Sequence, residues 1–175
     1  MTDDIRSLAA QRRRDVLRLA AIAGLTLADT APPHASSQKP DASLDIDLSK
    51  IPTGAGLKLV WHGQPLFVRH LTPAEIAAAR SVPQADLRDP QTLDERTKPG
   101  HRDWLVVIGV CPHLGCTPLG AAPGEPRGSF GGFVCPCHGS QFDPAGRVRA
   151  GPAPTNLDVP DYRFLSETVI RLGAR

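Results

Sequence analysis

The chain lacks any run of 18 consecutive apolar residues, so no ordinary membrane-spanning helix is expected in it. It also lacks a charge of one sign. Lys and Arg total 20 against 18 Asp and Glu, a net of +2, which gives no reason to expect nucleic acid, whose footprint is a clustered basic surface. Aromatic residues are scarce at 5%, and Trp61, Trp104 and Tyr162 are read as core or edge packing residues. Turn formers are plentiful instead. Prolines number 18 and glycines 16, about one residue in five, against roughly 12% on average. Such a chain makes many turns and loops rather than long helical bundles. Its 175 residues, 41% of them hydrophobic, suffice for one compact domain with an appendage, and the composition excludes a wholly disordered chain.

The charge is uneven. Residues 1–28 hold five arginines and three acids, and the remainder is neutral overall. The basic excess therefore belongs to targeting or anchoring. Arg12-Arg13-Arg14-Asp15-Val16-Leu17-Arg18 precedes a short apolar stretch and resembles the twin-arginine export pattern, a route that carries folded proteins and suits a cofactor inserted in the cytoplasm. The 13 residues from Val16 to Ala28 would make roughly 20 Å of helix, short of a hydrocarbon core of about 30 Å. Residues 1–28 are thus expected to be a signal or an anchor, with cleavage after Ala28 as one outcome. Residues 29–45 read as a flexible hinge, and His34 within them as a solvated side chain. Residues 46–175 form the working domain.

Two β-rich runs, Leu57–Trp61 and Pro65–Arg69, flank His62-Gly63-Gln64 and predict a hairpin. Thr72-Pro73-Ala74-Glu75 opens a helix with a capping box and proline at its first position, continuing to Arg80. Residues 84–102 read as an irregular surface excursion. Trp104–Val110 reads as a buried strand leading into Cys111. Leu157–Val159, Tyr162–Leu165 and Thr168–Leu172 read as closing strands. The expected class is mostly antiparallel β with one short helix. His62, His70 and His101 are taken as ordinary exposed or hydrogen-bonded histidines.

All four cysteines and two of the six histidines fall within 28 residues. Cys111-Pro112-His113-Leu114-Gly115-Cys116 has the form C-x-H-x-x-C, and Cys135-Pro136-Cys137-His138-Gly139-Ser140 the form C-x-C-H. Three chemistries compete. A structural zinc site would use the same residue types, although paired zinc ligands are usually two to four residues apart. Two disulfides would suit an exported protein but give the histidines no part. A Rieske [2Fe–2S] centre takes two cysteines on one iron and two histidines on the other.

The two boxes resemble those of the Rieske iron–sulfur subunits of cytochrome bc1 complexes, which run C-T-H-L-G-C and C-P-C-H-G-S. Gly151-Pro152-Ala153-Pro154 matches that family's proline loop, and the resemblance extends over residues 45–172. The Thr72–Arg80 helix favours the bc1 branch over the b6f branch. The resemblance implies a Rieske-type antiparallel β-sandwich with a cluster-binding part at about 109–155. It implies one Rieske-type [2Fe–2S] cluster on Cys111, His113, Cys135 and His138, and a disulfide between Cys116 and Cys137. Leu114 would shield the cluster, Gly139 and Ser140 would lie against it with the Ser140 hydroxyl hydrogen-bonding a sulfide, and Pro152 would cover the other side. His138 would be the catalytic residue that meets quinol.

Three positions depart from the family pattern: Pro112 replaces its threonine, Phe142 its tyrosine, and Phe133 its frequent tryptophan. The expected function is electron transfer from ubiquinol to cytochrome c1, alongside cytochrome b, in a dimeric complex of the bacterial inner membrane. The Rieske domain would face the periplasm. Two alternatives are a Rieske subunit of another exported oxidoreductase, such as arsenite oxidase, and a soluble Rieske ferredoxin. The ferredoxins lack counterparts of Cys116 and Cys137.

Overall fold

The computed structural model describes residues 43–173. The signal or anchor expected at 1–28, and the hinge as far as residue 42, lie outside the described residues. Leu44 and Asp45, included in the expected hinge, are the first residues of strand β1 (Leu44–Asp47).

The apolar run at 104–108 sets the architecture. It forms strand β4 (Trp104–Ile108), and all five residues are buried. A strand without a polar face must be covered on both sides. It pairs with β3 (Gln64–His70), which pairs in turn with β2 (Gly56–Trp61), giving an antiparallel sheet in the order β2-β3-β4. Side chains alternate across this sheet. Leu66, Val68, Val106 and Ile108 join Ile46, Tyr162, Ile170 and Leu172 in one core. Phe67, Leu105 and Val107 join Phe133, Phe142, Val148, Cys111 and Cys135 in the other.

Each core is closed by a further antiparallel sheet. The first is covered by β1, β9 (Val169–Leu172) and β8 (Tyr162–Ser166), in the order β1-β9-β8. The second is covered by β5 (Phe133–Val134), β6 (Gln141–Phe142) and β7 (Val148–Ala150). The mostly antiparallel β class expected from the sequence is therefore found.

The β2–β3 hairpin forms as expected and is tighter than the three-residue loop anticipated. Trp61 pairs with Gln64, and the turn residues His62 and Gly63 have φ of 50° and 75°, the left-handed conformations that suit a two-residue hairpin turn. Helix α1 (Pro73–Arg80) carries the expected capping box: Glu75 N–H donates to Thr72 Oγ1 at 3.2 Å and Thr72 N–H to Glu75 Oε2 at 2.8 Å. Glu75 also accepts from buried Arg69 at 2.5 Å and from Arg127 at 2.9 Å, so one carboxylate ties the helix to β3 and to the segment between the two cysteine boxes.

Two expectations need correction. Residues 84–102 are not merely irregular. A 3-10 turn at Gln84–Asp86 is followed by a second short helix, α2 (Leu93–Arg96), with its own Thr92/Glu95 capping box and with Leu93 and Arg96 buried. Leu157–Val159 is not a strand. Its backbone bonds go singly to different partners, Leu157 N–H to Gly146 O and Ile108 N–H to Asp158 O, and Pro160 can offer no N–H to a ladder.

The core also buries charge. Asp143 and Arg147 side chains are each 2% exposed and 2.6 Å apart. Asp143 Oδ1 also accepts from the Ala145 and Arg147 backbone N–H groups, and Arg147 donates to Ala79 O and Gln91 O. Breaking such a pair strands a buried charge, at a cost of about 3–5 kcal/mol. Asp143→Ala is therefore expected to lower unfolding free energy by about 3 kcal/mol in urea titrations. Asp45→Ala, which removes the exposed partner of Arg171, should leave the urea midpoint nearly unchanged.

Candidate metal centre

The two cysteine boxes become two loops of the same design. In the first, Cys111 N–H donates to Cys116 O at 2.8 Å and Gly115 N–H to Cys111 O at 2.9 Å. In the second, Cys135 N–H donates to Ser140 O at 2.8 Å and Gly139 N–H to Cys135 O at 3.0 Å. Each turn needs a left-handed residue at its fifth position, and Gly115 (φ 80°) and Gly139 (φ 75°) supply it. The first loop follows β4, and the second is the tip of the β5–β6 hairpin, whose strands pair Phe133 with Phe142 and Val134 with Gln141. A bridge between Leu119 and Val134 ties the exit of one loop to the entrance of the other.

Cys116 and Cys137 are joined by a disulfide, with Cα atoms 6.6 Å apart. A sulfur in a disulfide is not a thiolate, which leaves Cys111 and Cys135 as the free cysteines. Both are buried, at 1% and 2% exposure. The Cys135 sulfur lies within 4.8 Å of both disulfide sulfurs. The His113 and His138 rings meet edge to face, 4.7 Å between centroids; His113 is half-buried and His138 exposed. The arrangement has a dry side made of sulfur and a wet side made of imidazole.

Burial pushes the Cys111 thiol above its ordinary pKa, and the adjacent Cys135 thiol adds to the rise. The neighbouring His113 backbone N–H and Ser140 hydroxyl pull the other way. Two neighbouring thiols in an apolar site resist ionising together. A metal cation reverses that balance, because a coordinating thiol is deprotonated outright. The donor set, two buried thiols beside two imidazoles, thus fits a sulfur- and nitrogen-ligated metal group of the Rieske kind.

The surrounding residues fall as follows. Gly139 is exposed and Ser140 buried. Ser140 Oγ accepts from Ala153 N–H at 3.0 Å, so the proline loop packs on the second box. A Cβ at Gly151 would lie 2.5 Å from Ser140 Cα and 2.8 Å from Gly139 O, which requires glycine there. Pro152 is exposed beside it. Leu114 stands 70% exposed on the first loop, an apolar side chain presented outward. Phe142 and Phe133 are fully buried in the core that includes Cys111 and Cys135.

Sequence reasoning missed the support behind the proline loop. Arg88 Nη1 donates to Gly151 O at 2.7 Å and Ala153 O at 2.6 Å. Asn156 is bonded to both Asp89 and Gln91. Arg96 is buried and bonded to Ala145 O, Leu157 O and Gln91; burial pushes its pKa down to about 10, against the pull of Asp143 and Asp89. The signal available was Thr92-Leu93-Asp94-Glu95, a second T-x-x-E capping box.

Comparison with known proteins agrees with this geometry. Residues 73–163 match the family described as the Rieske [2Fe-2S] domain. The ubiquinol–cytochrome c reductase iron-sulfur subunit of Rhodospirillum rubrum is 52% identical over 132 residues, 75% of this chain and 71% of that one. The subunit of the same name from Bradyrhizobium diazoefficiens is 45% identical over 170 residues, covering 92% of this chain and 94% of that one. A chain of a solved hyperthermophilic respiratory complex III covers 93% of this chain and 98% of its own length, at 25% identity and a TM-score of 0.48. The chain belongs to the Rieske [2Fe–2S] family, among the iron–sulfur subunits of ubiquinol–cytochrome c reductase.

Proposed function

We propose that Cys111, Cys135, His113 and His138 hold one [2Fe–2S] cluster and that this chain carries electrons from ubiquinol to cytochrome c1. The observation that carries the reading is the meeting of two hydrogen-bonded loops. They hold two free, buried thiols and two neighbouring imidazoles at their tips, with a disulfide beside them. When bound, the cluster supplies a one-electron acceptor whose potential is raised by its two neutral histidine ligands.

The residues divide the remaining work. Cys111 and Cys135 keep the thiolate charge away from water. His138, exposed at the tip, would present its unligated ring nitrogen to the quinol hydroxyl and, as the deprotonated imidazolate, could take the proton there. Exposed Leu114 gives the tip an apolar contact for the quinol-binding partner. The second quinol electron leaves by way of cytochrome b. Residues 29–43 serve as the hinge on which the domain moves between cytochromes b and c1, on the periplasmic face of the inner membrane. The disulfide disfavours a soluble Rieske ferredoxin, whose loops lack that pair.

Iron analysis of the purified chain should give about two irons per chain and the Rieske absorption and EPR signature. One zinc and no iron would overturn the reading. His113→Ala and His138→Ala should each abolish the signature, because one iron loses half its protein ligands. Cys116→Ser should keep the signature and shorten its lifetime on warming, since it removes a tie between the loops and no ligand.

Phe142 offers a second test. A hydroxyl donor to a ligand sulfur stabilises the more negative, reduced state, and Phe142 cannot be one. Phe142→Tyr is expected to raise the midpoint potential by an amount on the order of 1 kcal/mol, about 40 mV for one electron. Voltammetry reads the shift directly.

A further inference from the structure

We propose that Cys135 is an exchange partner of the Cys116–Cys137 disulfide, so that the chain without its cluster isomerises to a Cys116–Cys135 link. This rests on the ligand assignment above, since it is the cluster that engages the Cys135 sulfur in the loaded chain.

The observation is a volume shared by three sulfurs. Those of Cys116, Cys135 and Cys137 all lie within 4.8 Å of one another. Two of them form the disulfide, and the third is a free, buried thiol. Among the described residues Cys111, the other free cysteine, is not in this group. The backbone imposes the closeness. Cys135 N–H donates to Ser140 O at 2.8 Å, and Cys135 O accepts from Gly139 N–H at 3.0 Å. Cys116 O accepts from Cys111 N–H at 2.8 Å, and the Leu119–Val134 bridge ties the two loops just outside the boxes. A disulfide isomerises when a third sulfur attacks one of its two, and here the third sulfur is built in.

Two attacks are open to Cys135. Attack on the Cys137 sulfur closes a ring across Pro136 alone and releases Cys116, which cuts the tie between the loops. Attack on the Cys116 sulfur keeps the loops tied and releases Cys137. Cys137 is exposed and Cys116 half-buried, and a departing sulfur carries negative charge that water stabilises. Attack on Cys116 is therefore the favoured course. The step balances without an oxidant or a reductant. The Cys116–Cys137 bond breaks and the Cys116–Cys135 bond forms. The proton lost by Cys135 is regained by Cys137, and the number of thiols is unchanged. A buried thiol is traded for an exposed one, and the metal site loses a ligand. A sulfur bound to iron has its electron pair engaged and does not attack, so the loaded chain keeps the Cys116–Cys137 link.

Thiol labelling with peptide mapping tests this. Iron is removed from the full chain with a chelator in the absence of oxygen, and samples are blocked with N-ethylmaleimide at intervals, without reductant. Uncatalysed disulfide rearrangement takes minutes to hours. Over that time label at Cys137 should rise at least about tenfold above its level in the loaded chain, and label at Cys135 should fall in step. A Cys116–Cys135 peptide should appear while total label stays constant. In Cys135→Ser, label at Cys137 should stay at the level of the loaded chain. A cluster-free chain that keeps only the Cys116–Cys137 link, with Cys135 labelled, would overturn the proposal. So would a Cys135–Cys137 link, undiminished Cys137 labelling in Cys135→Ser, or a new link that appears only as total label falls, which is oxidation rather than exchange. If Cys135→Ser did not fold, the time course in the unsubstituted chain would decide alone. If the chain as purified held no iron, the ligand reading would fail, while the same labelling of that chain would still decide whether Cys135 exchanges.

Discussion

The burial of two sulfurs side by side is the constraint on which the rest of this structure depends. Cys111 and Cys135 lie on separate loops, 24 residues apart in sequence, and each loop has only two internal backbone bonds to define it. Turns of that size fix their own shape but not their distance from one another. That distance comes from below. The first loop leaves β4, whose five residues are all buried, and the second sits on the β5–β6 hairpin. Phe67 on the central sheet stacks on Phe133 of β5, 5.8 Å between centroids. Aromatic packing of this kind contributes beyond its area, and here it joins the sheet beneath one loop to the hairpin beneath the other.

The same arrangement explains where charge is tolerated. Among the described residues, the buried charged groups are Arg69, Arg96, Asp143 and Arg147. Each arginine reaches backbone carbonyls as well as carboxylates or amides: Arg69 to Gly120, Arg96 to Ala145 and Leu157, Arg147 to Ala79 and Gln91. The planar guanidinium loses less freedom per hydrogen bond than a lysine would. It is therefore suited to pinning irregular segments that no ladder holds. The segments pinned, 79–97, 120 and 143–157, are those that surround the two boxes.

Legibility in the sequence followed the range of the interaction. The hairpin, the first helix and the buried strand were readable because their signals are local: alternation around His62-Gly63, a capping box at Thr72, a continuous apolar run at Trp104. The cysteine and histidine boxes were readable because the turns that present them are short and need glycine at a fixed place. The excursion at 84–102 was misread as irregular because its order comes from residues far along the chain. Arg88 meets partners 63 and 65 residues away, and nothing in its local composition marks it. The second capping box at Thr92 was the one local sign, and it was outweighed by Pro90 and Pro99. Leu157–Val159 was misread for the opposite reason. Its apolar alternation is real and its side chains are partly buried, but no strand among the described residues forms a ladder with it.

Three fasteners act on the two tips, and they differ in kind. The disulfide ties the loops to each other covalently and is indifferent to water. The Leu119–Val134 bridge ties their bases through backbone bonds. The strap at 84–96 ties the proline loop over the second box through side chains alone, and its Arg88 is exposed. Of the three, only the strap reaches the Ser140 hydroxyl oxygen, by way of the proline loop. A covalent tie can fix the separation of the loops without fixing the direction of an O–H bond. The Ser140 oxygen is instead held by the Ala153 N–H, on a loop whose two prolines offer no N–H to order it. The geometry of the tips is thus set by two elements close in sequence, while the loop that packs on Ser140 is held by a segment distant from both.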